Sequence, residues 1–259
     1  GQVAVTTSVV DPKEDFDINA LGTLNVLEAI RKSDNNPILI YSSTNKVYGG
    51  MDDVIVEEQE TRYTYKNLPM GVPESRNLDF HSPYGCSKGA ADQYVKDYAR
   101  IYGLRTVVMR QSCIYGTRQF GVEDQGWVAW FTIASSIKKP ITIFGDGKQV
   151  RDVLFVDDLF NAFEAAVNKI DSVSGEVFNI GGGIEYSMSL LELLAMLEEN
   201  LGRTIEYSFS DWRPGDQPVY ISDITKAKNM LGWQPQIDVR EGVDKLSTWV
   251  SKNLTLFNL

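Results

Sequence analysis

The sequence is poor in the residues that build metal sites and disulfide frameworks. It has one histidine, His81, and two cysteines, Cys86 and Cys113, among 259 residues. One imidazole cannot form a multi-histidine metal site, so we expect no bound metal. Two cysteines cannot cross-link a chain of this length into a disulfide scaffold. Their scarcity favours a reducing compartment, and we therefore predict a cytoplasmic protein.

The chain also lacks a long apolar run and an excess of positive charge. Its nearest candidate for a membrane span, residues 127–137, contains Thr132, Ser135 and Ser136 and falls short of the ~20 residues required. Thirty-five acidic against twenty-five basic residues give a formal charge of −10. This balance disfavours nucleic acid and membranes as partners. The 43% of hydrophobic residues that are present is typical of a soluble globular protein.

Helical and strand-like patterns alternate along the chain. The apolar spacing and the capping residues predict helices over residues 12–33, 82–102 and 190–200, and strands over residues 37–41, 106–109, 141–144, 153–156 and 177–180. Residues 51–80 are polar and irregular, which indicates an insertion or lid. Alternation of this kind predicts an α/β protein with parallel strands.

Tyr84 and Lys88 lie four residues apart at the start of the second predicted helix, so their side chains share one face. An ammonium group near a phenol favours the phenolate, and the positive end of the helix acts in the same direction. Such a tyrosine could take a proton from a hydroxyl group. From the spacing alone, a packing role is an alternative, as it is for Tyr94 and Tyr98 on the same helix.

Six segments resemble, in the right order, landmarks of the extended short-chain dehydrogenase/reductase family. They are residues 19–29 (NALGTLNVLEA), 42–49 (SSTNKVYG), 82–90 (SPYGCSKGA), 151–158 (RDVLFVDD), 178–182 (FNIGG) and 213–216 (RPGD). The resemblance implies an α/β fold with a Rossmann-type doubly wound parallel sheet, a smaller C-terminal substrate domain, and NAD as the cofactor.

The same resemblance implies a role for individual residues. It makes Thr44, Tyr84 and Lys88 the catalytic residues. NAD is expected to contact Gln2, Asn19, Ser42, Ser43, Tyr84, Lys88 and Cys113, and a nucleotide-sugar substrate is expected to contact Thr44, Asn45, Arg118, Gln119, Gln125, Arg151, Arg213 and Asp216. A buried core thiol is the alternative for Cys113, and a simple turn acid is the alternative for Asp216.

A finer resemblance concerns the reaction. Residues 79–94, 124–127 and 145–152 are similar to family members that invert C2 of a CDP-dideoxyhexose, interconverting CDP-paratose and CDP-tyvelose through a transient keto sugar. Members that remove water carry Asp-Glu after the threonine, whereas this chain has Asn45 and Lys46, which cannot act as a carboxylate pair. A 4-epimerase or reductase of a UDP- or dTDP-sugar, and a non-catalytic binding remnant, are the alternatives. A homo-oligomer is expected.

The family's Gly-x-x-Gly-x-x-Gly phosphate loop is not found in this sequence. Gly1-Gln2 match the end of the family's fourth strand, so we expect roughly 70–90 further residues upstream, about three strand–helix units that hold the adenine half of NAD. We assign residues 1–116 to the remaining part of the Rossmann domain. Residues 117–259 are assigned mainly to the substrate domain, with segments near 152–182 returning to the Rossmann domain.

Overall fold

The computed structural model describes residues 1–213 and 216–257, so Pro214 and Gly215 of the predicted RPGD motif lie outside the described residues. The strands are β1 (Leu39–Thr44), β2 (Val56–Glu58), β3 (Tyr63–Tyr65), β4 (Thr106–Gln111), β5 (Cys113–Tyr115), β6 (Ile141–Phe144), β7 (Val150–Phe155), β8 (Val177–Ile180), β9 (Ser187–Ser189), β10 (Tyr207–Ser210) and β11 (Val219–Tyr220). The α-helices are α1 (Val5–Val10), α2 (Pro12–Phe16), α3 (Gly22–Arg31), α4 (Ser82–Tyr102), α5 (Trp127–Ser136), α6 (Val156–Asn168), α7 (Ile170–Val173), α8 (Leu190–Leu201), α9 (Thr225–Leu231) and α10 (Val239–Lys252).

A parallel sheet with the strand order β1-β4-β8 carries the candidate site at one edge. In its register Thr44 lies opposite Gln111, and Gln111 lies opposite Ile180. The carboxyl ends of all three strands therefore meet at the same edge. In open parallel sheets this is the edge at which ligands bind.

Both faces of this sheet are covered, as its apolar strands require. Ala91 and Val95 of α4 pack with Leu27 and Val108 on one face. On the other face Ala162 and Ala166 of α6 pack with Phe178. The sheet is thus a buried layer between helices, and this α/β arrangement confirms the predicted fold class.

The remaining strands form smaller sheets: β2 pairs antiparallel with β3, and the others lie within residues 113–220. β7 pairs in parallel with β5 and β11 and antiparallel with β9, while β10 pairs in parallel with β6. A third cluster of apolar side chains lies between α5, α8 and α10. β8 pairs with β4, which returns the chain to the first sheet; the division at residue 116 stays a prediction.

Local signals explain the boundaries of the three predicted helical regions. Asp11 accepts a hydrogen bond from the Glu14 amide at 2.9 Å and so caps α2, and a π-helical turn over Asp17–Leu21 joins α2 to α3. Ser189 and Glu192 form the capping box expected before α8. The left-handed Gly103 ends α4. The helices α1, α6, α7, α9 and α10 and the hairpin β2–β3 inside the irregular segment were not predicted. Within the described ranges, we find no helix with the length and apolar character needed to cross a membrane.

Candidate active site

Thr44 stands at the carboxyl end of β1 and begins a short 3-10 helix over Asn45–Tyr48. Its hydroxyl oxygen accepts a hydrogen bond from the Lys46 amide at 3.2 Å, which caps that helix. The same hydroxyl donates to Asn45 Oδ1 at 3.3 Å. The chain therefore turns sharply after β1, and Thr44 is held by its two following neighbours.

Tyr84 lies in the first turn of α4, and its side chain is 8% exposed. Its backbone amide donates a hydrogen bond to Ser8 Oγ at 3.1 Å, which ties the start of α4 to α1. Burial raises the pKa of the Tyr84 phenol, and a hydrogen bond with the Thr44 side chain acts in the opposite direction. Thr44 and Tyr84 are thus brought together from two elements, and their catalytic roles stay predictions.

The predicted lowering of the Tyr84 pKa by Lys88 is wrong for this arrangement. The Lys88 amine donates to the Ser42 carbonyl oxygen at 2.6 Å and lies 4.3 Å from the centre of the Tyr41 ring. At Tyr84 the effect of burial is larger than the opposite effect of the Thr44 side chain, so the pKa of the phenol is raised. Burial also lowers the pKa of Lys88 to about 8, with Asp92 and then Asp15 acting against it.

The residues predicted to contact NAD divide into two groups. Ser42 is exposed beside Lys88, and its hydroxyl accepts a hydrogen bond from Gln111 Nε2 at 3.1 Å. Asn19 is buried, and its side chain makes two hydrogen bonds of 3.1 Å with the Gln2 backbone. Its oxygen accepts one from the Gln2 amide, and its nitrogen donates one to the Gln2 carbonyl. The Ser43 hydroxyl is also buried and donates to another side chain, Asp92, at 2.7 Å. Asn19 and Ser43 therefore have partners within the protein.

Cys113 lies at the start of β5, where its sulfur accepts a hydrogen bond from Trp127 Nε1 at 3.5 Å. Burial raises the pKa of its thiol, so the thiol is neutral at pH 7. The charges of Lys46 and Arg151 act on this thiol, which places all three side chains in one region. The cofactor-binding role predicted for Cys113 stays a prediction.

Arg151 and Asp216, both predicted to contact the substrate, approach each other at 3.6 Å. Arg151 also donates to the Val150 carbonyl at 2.8 Å. Burial and the positive charge of Arg151 together lower the pKa of Lys46. No ion pair joins Lys46 to any side chain that the structure describes. This region therefore combines two basic side chains, Lys46 and Arg151, with one acid, Asp216.

The other residues predicted to contact the substrate are more dispersed. Arg213 pairs with Asp124 at 3.0 Å and lies 3.9 Å from the centre of the Phe144 ring. Gln119 donates to the Ile114 carbonyl at 3.3 Å. Arg118 and Gln125 are exposed, and Arg118 has a left-handed backbone with φ of 66°. Their roles in substrate binding stay predictions.

A buried polar network beneath the site was not predicted from the sequence. Asp92 of α4 receives two hydrogen bonds from Arg110 of β4, both at 2.9 Å, besides the one from Ser43. Arg110 also donates to the Tyr48 hydroxyl at 3.1 Å, and that hydroxyl donates to Asn179 Oδ1 of β8 at 2.7 Å. One local signal could have found Asp92, because it lies four residues after Lys88 on the same face of the helix.

Chemically, the arrangement can transfer a proton to or from a ligand oxygen. Tyr84 supplies a phenol, Thr44 supplies a hydroxyl beside it, and Lys88 supplies an amine whose pKa lies close to neutral pH. The carboxyl edge of a parallel sheet is also a common position for a nucleotide cofactor. Among the described residues, no group of histidine, cysteine and acidic side chains is arranged to hold a metal ion.

Comparisons with known proteins place this geometry in a family. The family described as GDP-mannose 4,6 dehydratase matches residues 1–246. The CDP-paratose 2-epimerase of Salmonella typhi is 50% identical over 256 residues, which cover 97% of this chain and 76% of that protein.

Two crystal structures of UDP-glucose 4-epimerases are also similar. The Thermotoga maritima enzyme with UDP-glucose has a TM-score of 0.83 at 33% identity, covering 98% of this chain and 76% of its own. The Thermus thermophilus enzyme with NAD has a TM-score of 0.80 at 29% identity, covering 96% of this chain and 75% of its own.

Proposed function

Because this chain belongs to the GDP-mannose 4,6-dehydratase family of extended short-chain dehydrogenases/reductases, we propose that it is an NAD-dependent nucleotide-sugar epimerase. The reaction we propose is inversion at C2 of a CDP-dideoxyhexose, CDP-paratose to CDP-tyvelose. The observation that carries the proposal is the meeting of Thr44 and Tyr84 at the carboxyl edge of the sheet, with Lys88 one turn further along α4. The 50% identity to the Salmonella typhi CDP-paratose 2-epimerase supports the choice of nucleotide and of carbon atom.

The donor set at this edge fits NAD. The Lys88 amine has no carboxylate within 4 Å among the described residues, so it can donate to ribose hydroxyl groups while it holds the Ser42 carbonyl. Gln2 Oε1 is buried and has no hydrogen-bond partner in the described part of the chain, so it can accept from a ligand. We propose that Gln2, Ser42, Tyr84 and Lys88 hold the nicotinamide half of the cofactor. When bound, NAD supplies reversible oxidation of a sugar alcohol to a ketone.

The residues of the chain supply proton transfer and orientation. Tyr84 takes the proton of the C2 hydroxyl as the ketone forms and returns a proton to the oxygen when the ketone is reduced. When the substrate binds, the Thr44 hydroxyl turns from Asn45 and donates its one proton to the same oxygen. The N-terminus of α4 favours negative charge on Tyr84.

Positive side chains hold the part of the substrate that does not react. We propose that Arg151 and Lys46 bind the diphosphate, because Lys46 follows Thr44 by two residues, the charge of Arg151 acts on Lys46, and only one carboxylate, Asp216, is described nearby. A guanidinium group can donate two parallel hydrogen bonds to two oxygens of one phosphate. Binding of this kind holds the nucleotide in place while the keto sugar turns to present its other face. Asn45 and Lys46 do not form a carboxylate pair, so we do not propose dehydration.

Isotope incorporation tests this proposal. We expect the full-length protein in deuterated water to interconvert CDP-paratose and CDP-tyvelose while the hydrogen on C2 stays protium. An oxidation and reduction at C2 within a closed site moves that hydrogen without exchange, whereas removal as a proton would exchange it with solvent. Proton NMR of the recovered sugar measures the outcome, and deuterium at C2 would contradict the mechanism.

Other substrates distinguish the alternative functions. The similarity to two UDP-glucose 4-epimerases favours inversion at C4 of a UDP-sugar as the second candidate, because the same three residues could serve it. The test therefore includes UDP-glucose and dTDP-glucose beside the CDP-sugars. Turnover of UDP-glucose without turnover of CDP-paratose would favour the second candidate, and binding without any turnover would favour a non-catalytic role.

We further propose a cytoplasmic homo-oligomer in which residues 1–116 and 117–259 form the NAD and substrate domains, with segments near 152–182 returning to the NAD domain. The pairing of β8 with β4 supports that return. Light scattering of the full-length protein measures the oligomeric state.

A further inference from the structure

Asp15 is a buried carboxylate for which the proposed mechanism has no use. It lies in α2, and the residue is 1% exposed. The Ser87 hydroxyl of α4 donates a hydrogen bond to Asp15 Oδ2, and Asn19 Nδ2 donates to Asp15 Oδ1 at 3.2 Å. No cation of the described residues lies within 4 Å of this carboxylate. Asp15 is therefore a buried acid that is hydrogen-bonded to Ser87 and Asn19 and has no ion-pair partner among the described residues.

Lys88 is a cation without an ion-pair partner in the described residues, and it lies on α4, one residue after Ser87. Its amine is half-buried, donates to the Ser42 carbonyl and lies over the Tyr41 ring, with no carboxylate within 4 Å in the described part of the chain. The Ser87 hydroxyl that holds Asp15 also lies 3.2 Å from the Tyr84 carbonyl oxygen. One serine thus connects the unpaired anion to the turn of α4 that runs from Tyr84 to Lys88.

Burying an unpaired charge is costly, and two opposite charges in one poorly hydrated region reduce that cost for each other. Asp92 also acts on Lys88, but its charge is balanced directly by Arg110. Asp15 has no such partner among the described residues. Both acids therefore act on Lys88, Asp92 more strongly than Asp15, and of the two only Asp15 lacks an ion-pair partner in the described part of the chain.

We propose that Asp15 is a positioning residue for the Tyr84 and Lys88 pair, acting through its buried charge and through its hydrogen bond with Ser87. The inference rests on the proposed function of Tyr84 and Lys88 in proton transfer. It assigns Asp15 no contact with substrate or cofactor.

The charge of Asp15 acts on both groups in the same direction. At Lys88, burial lowers the pKa to about 8, while Asp92 and then Asp15 raise it. At Tyr84, burial raises the pKa most, Thr44 lowers it, and Asp15 raises it further. The Tyr41 phenol, which lies beneath the Lys88 amine, is kept neutral because burial raises its pKa. Removing the charge of Asp15 should therefore lower the pKa of Tyr84 and the pKa of Lys88 together.

The first experiment is the pH dependence of kcat/KM for two neutral variants, Asp15→Asn and Asp15→Ser. We expect both limbs of the profile to move to lower pH by roughly 0.5–1 unit, the scale of a nearby buried charge. Both limbs should move in the same direction whichever residue each limb reports, because the pKa values of Tyr84 and Lys88 both fall. A purely structural role would lower the maximum of the profile and leave its limbs in place, and that result would overturn the proposal.

Two matched variants separate charge from other effects. Ser87→Ala removes the hydrogen bond but keeps the carboxylate, so its limbs should stay within about 0.3 unit of the parent's. Asp17→Asn removes a half-buried acid of the same segment, which pairs with Lys13, and should leave the profile unchanged. A shift in Asp17→Asn equal to that in Asp15→Asn would show an effect of net charge alone and would overturn the proposal.

The second experiment does not depend on turnover. Carbon-13 NMR of protein labelled at lysine Cε follows the titration of Lys88, whose signal is identified by its loss in Lys88→Met. We expect this titration to move to lower pH in Asp15→Asn and to stay in place in Asp17→Asn. An unchanged Lys88 titration contradicts the role of Asp15. A shifted titration in a protein that turns over no nucleotide sugar would instead contradict the proposed function and leave the role of Asp15 supported.

Discussion

Replacing Tyr84 with phenylalanine is expected to reduce kcat by at least about 100-fold, the usual scale for loss of a general acid–base group. The substitution removes one oxygen atom from a buried ring and keeps its packing, so the fold should be retained. Nucleotide affinity should change little, because Arg151 and Lys46, which we propose hold the diphosphate, are unchanged. Steady-state kinetics with CDP-paratose and calorimetry with CDP measure the two effects.

Tyr94→Phe is the matched control for this prediction. It is the same substitution on the same helix, but the Tyr94 side chain is 51% exposed and lies away from Thr44. We expect its kcat to stay within a factor of about two of the parent enzyme. A Tyr84→Phe variant that keeps more than about a tenth of the parent kcat would remove Tyr84 from the mechanism.

Replacing Asp92 with alanine should lower the free energy of unfolding by about 3–5 kcal/mol. Asp92 and Arg110 are both almost completely buried, and two hydrogen bonds of 2.9 Å join them. Removal of the carboxylate leaves the guanidinium group buried without its counterion, which costs far more than the pair contributes as a whole. Urea unfolding followed by circular dichroism measures the change.

The double variant Asp92→Leu/Arg110→Met is the control for that result. It removes both charges and fills the space with apolar side chains of similar size, so most of the lost stability should return. A loss below about 1 kcal/mol in Asp92→Ala would show that water reaches the pair. A double variant as unstable as the single one would show that the geometry of the network, rather than its charge, sets the stability.

The parts of this structure that local patterns determine could be predicted from the sequence. The start of α4, the four-residue spacing of Tyr84 and Lys88, and the capping box at Ser189 depend on neighbours within one helical turn. Resemblance to a family added the meeting of Thr44 with Tyr84, which lie on different elements.

The features that sequence analysis missed depend on distant parts of the chain. The rise in the Tyr84 pKa results from burial by tertiary packing, which a spacing of four residues does not describe. The hydrogen bond between Tyr48 and Asn179 joins residues 131 positions apart, and only the register of the β1-β4-β8 sheet brings them together. Helix α1 was missed because its Val-Thr-Thr-Ser-Val-Val sequence consists largely of β-branched residues, which have a low helix propensity.

The buried network also constrains the order in which the chain can reach its native state. Ser43, Asp92 and Arg110 can find one another once residues 1–111 have been synthesised, but the Tyr48 hydroxyl has no acceptor at Asn179 until β8 emerges and docks beside β4. Contacts that close such long loops form slowly. A nascent chain that ends before residue 177 would hold helix α4 against an incomplete sheet, with the edge of β4 open to pairing by another chain. Because β4 lies between β1 and β8, docking of β8 from the second half of the chain covers this edge and should reduce aggregation during synthesis.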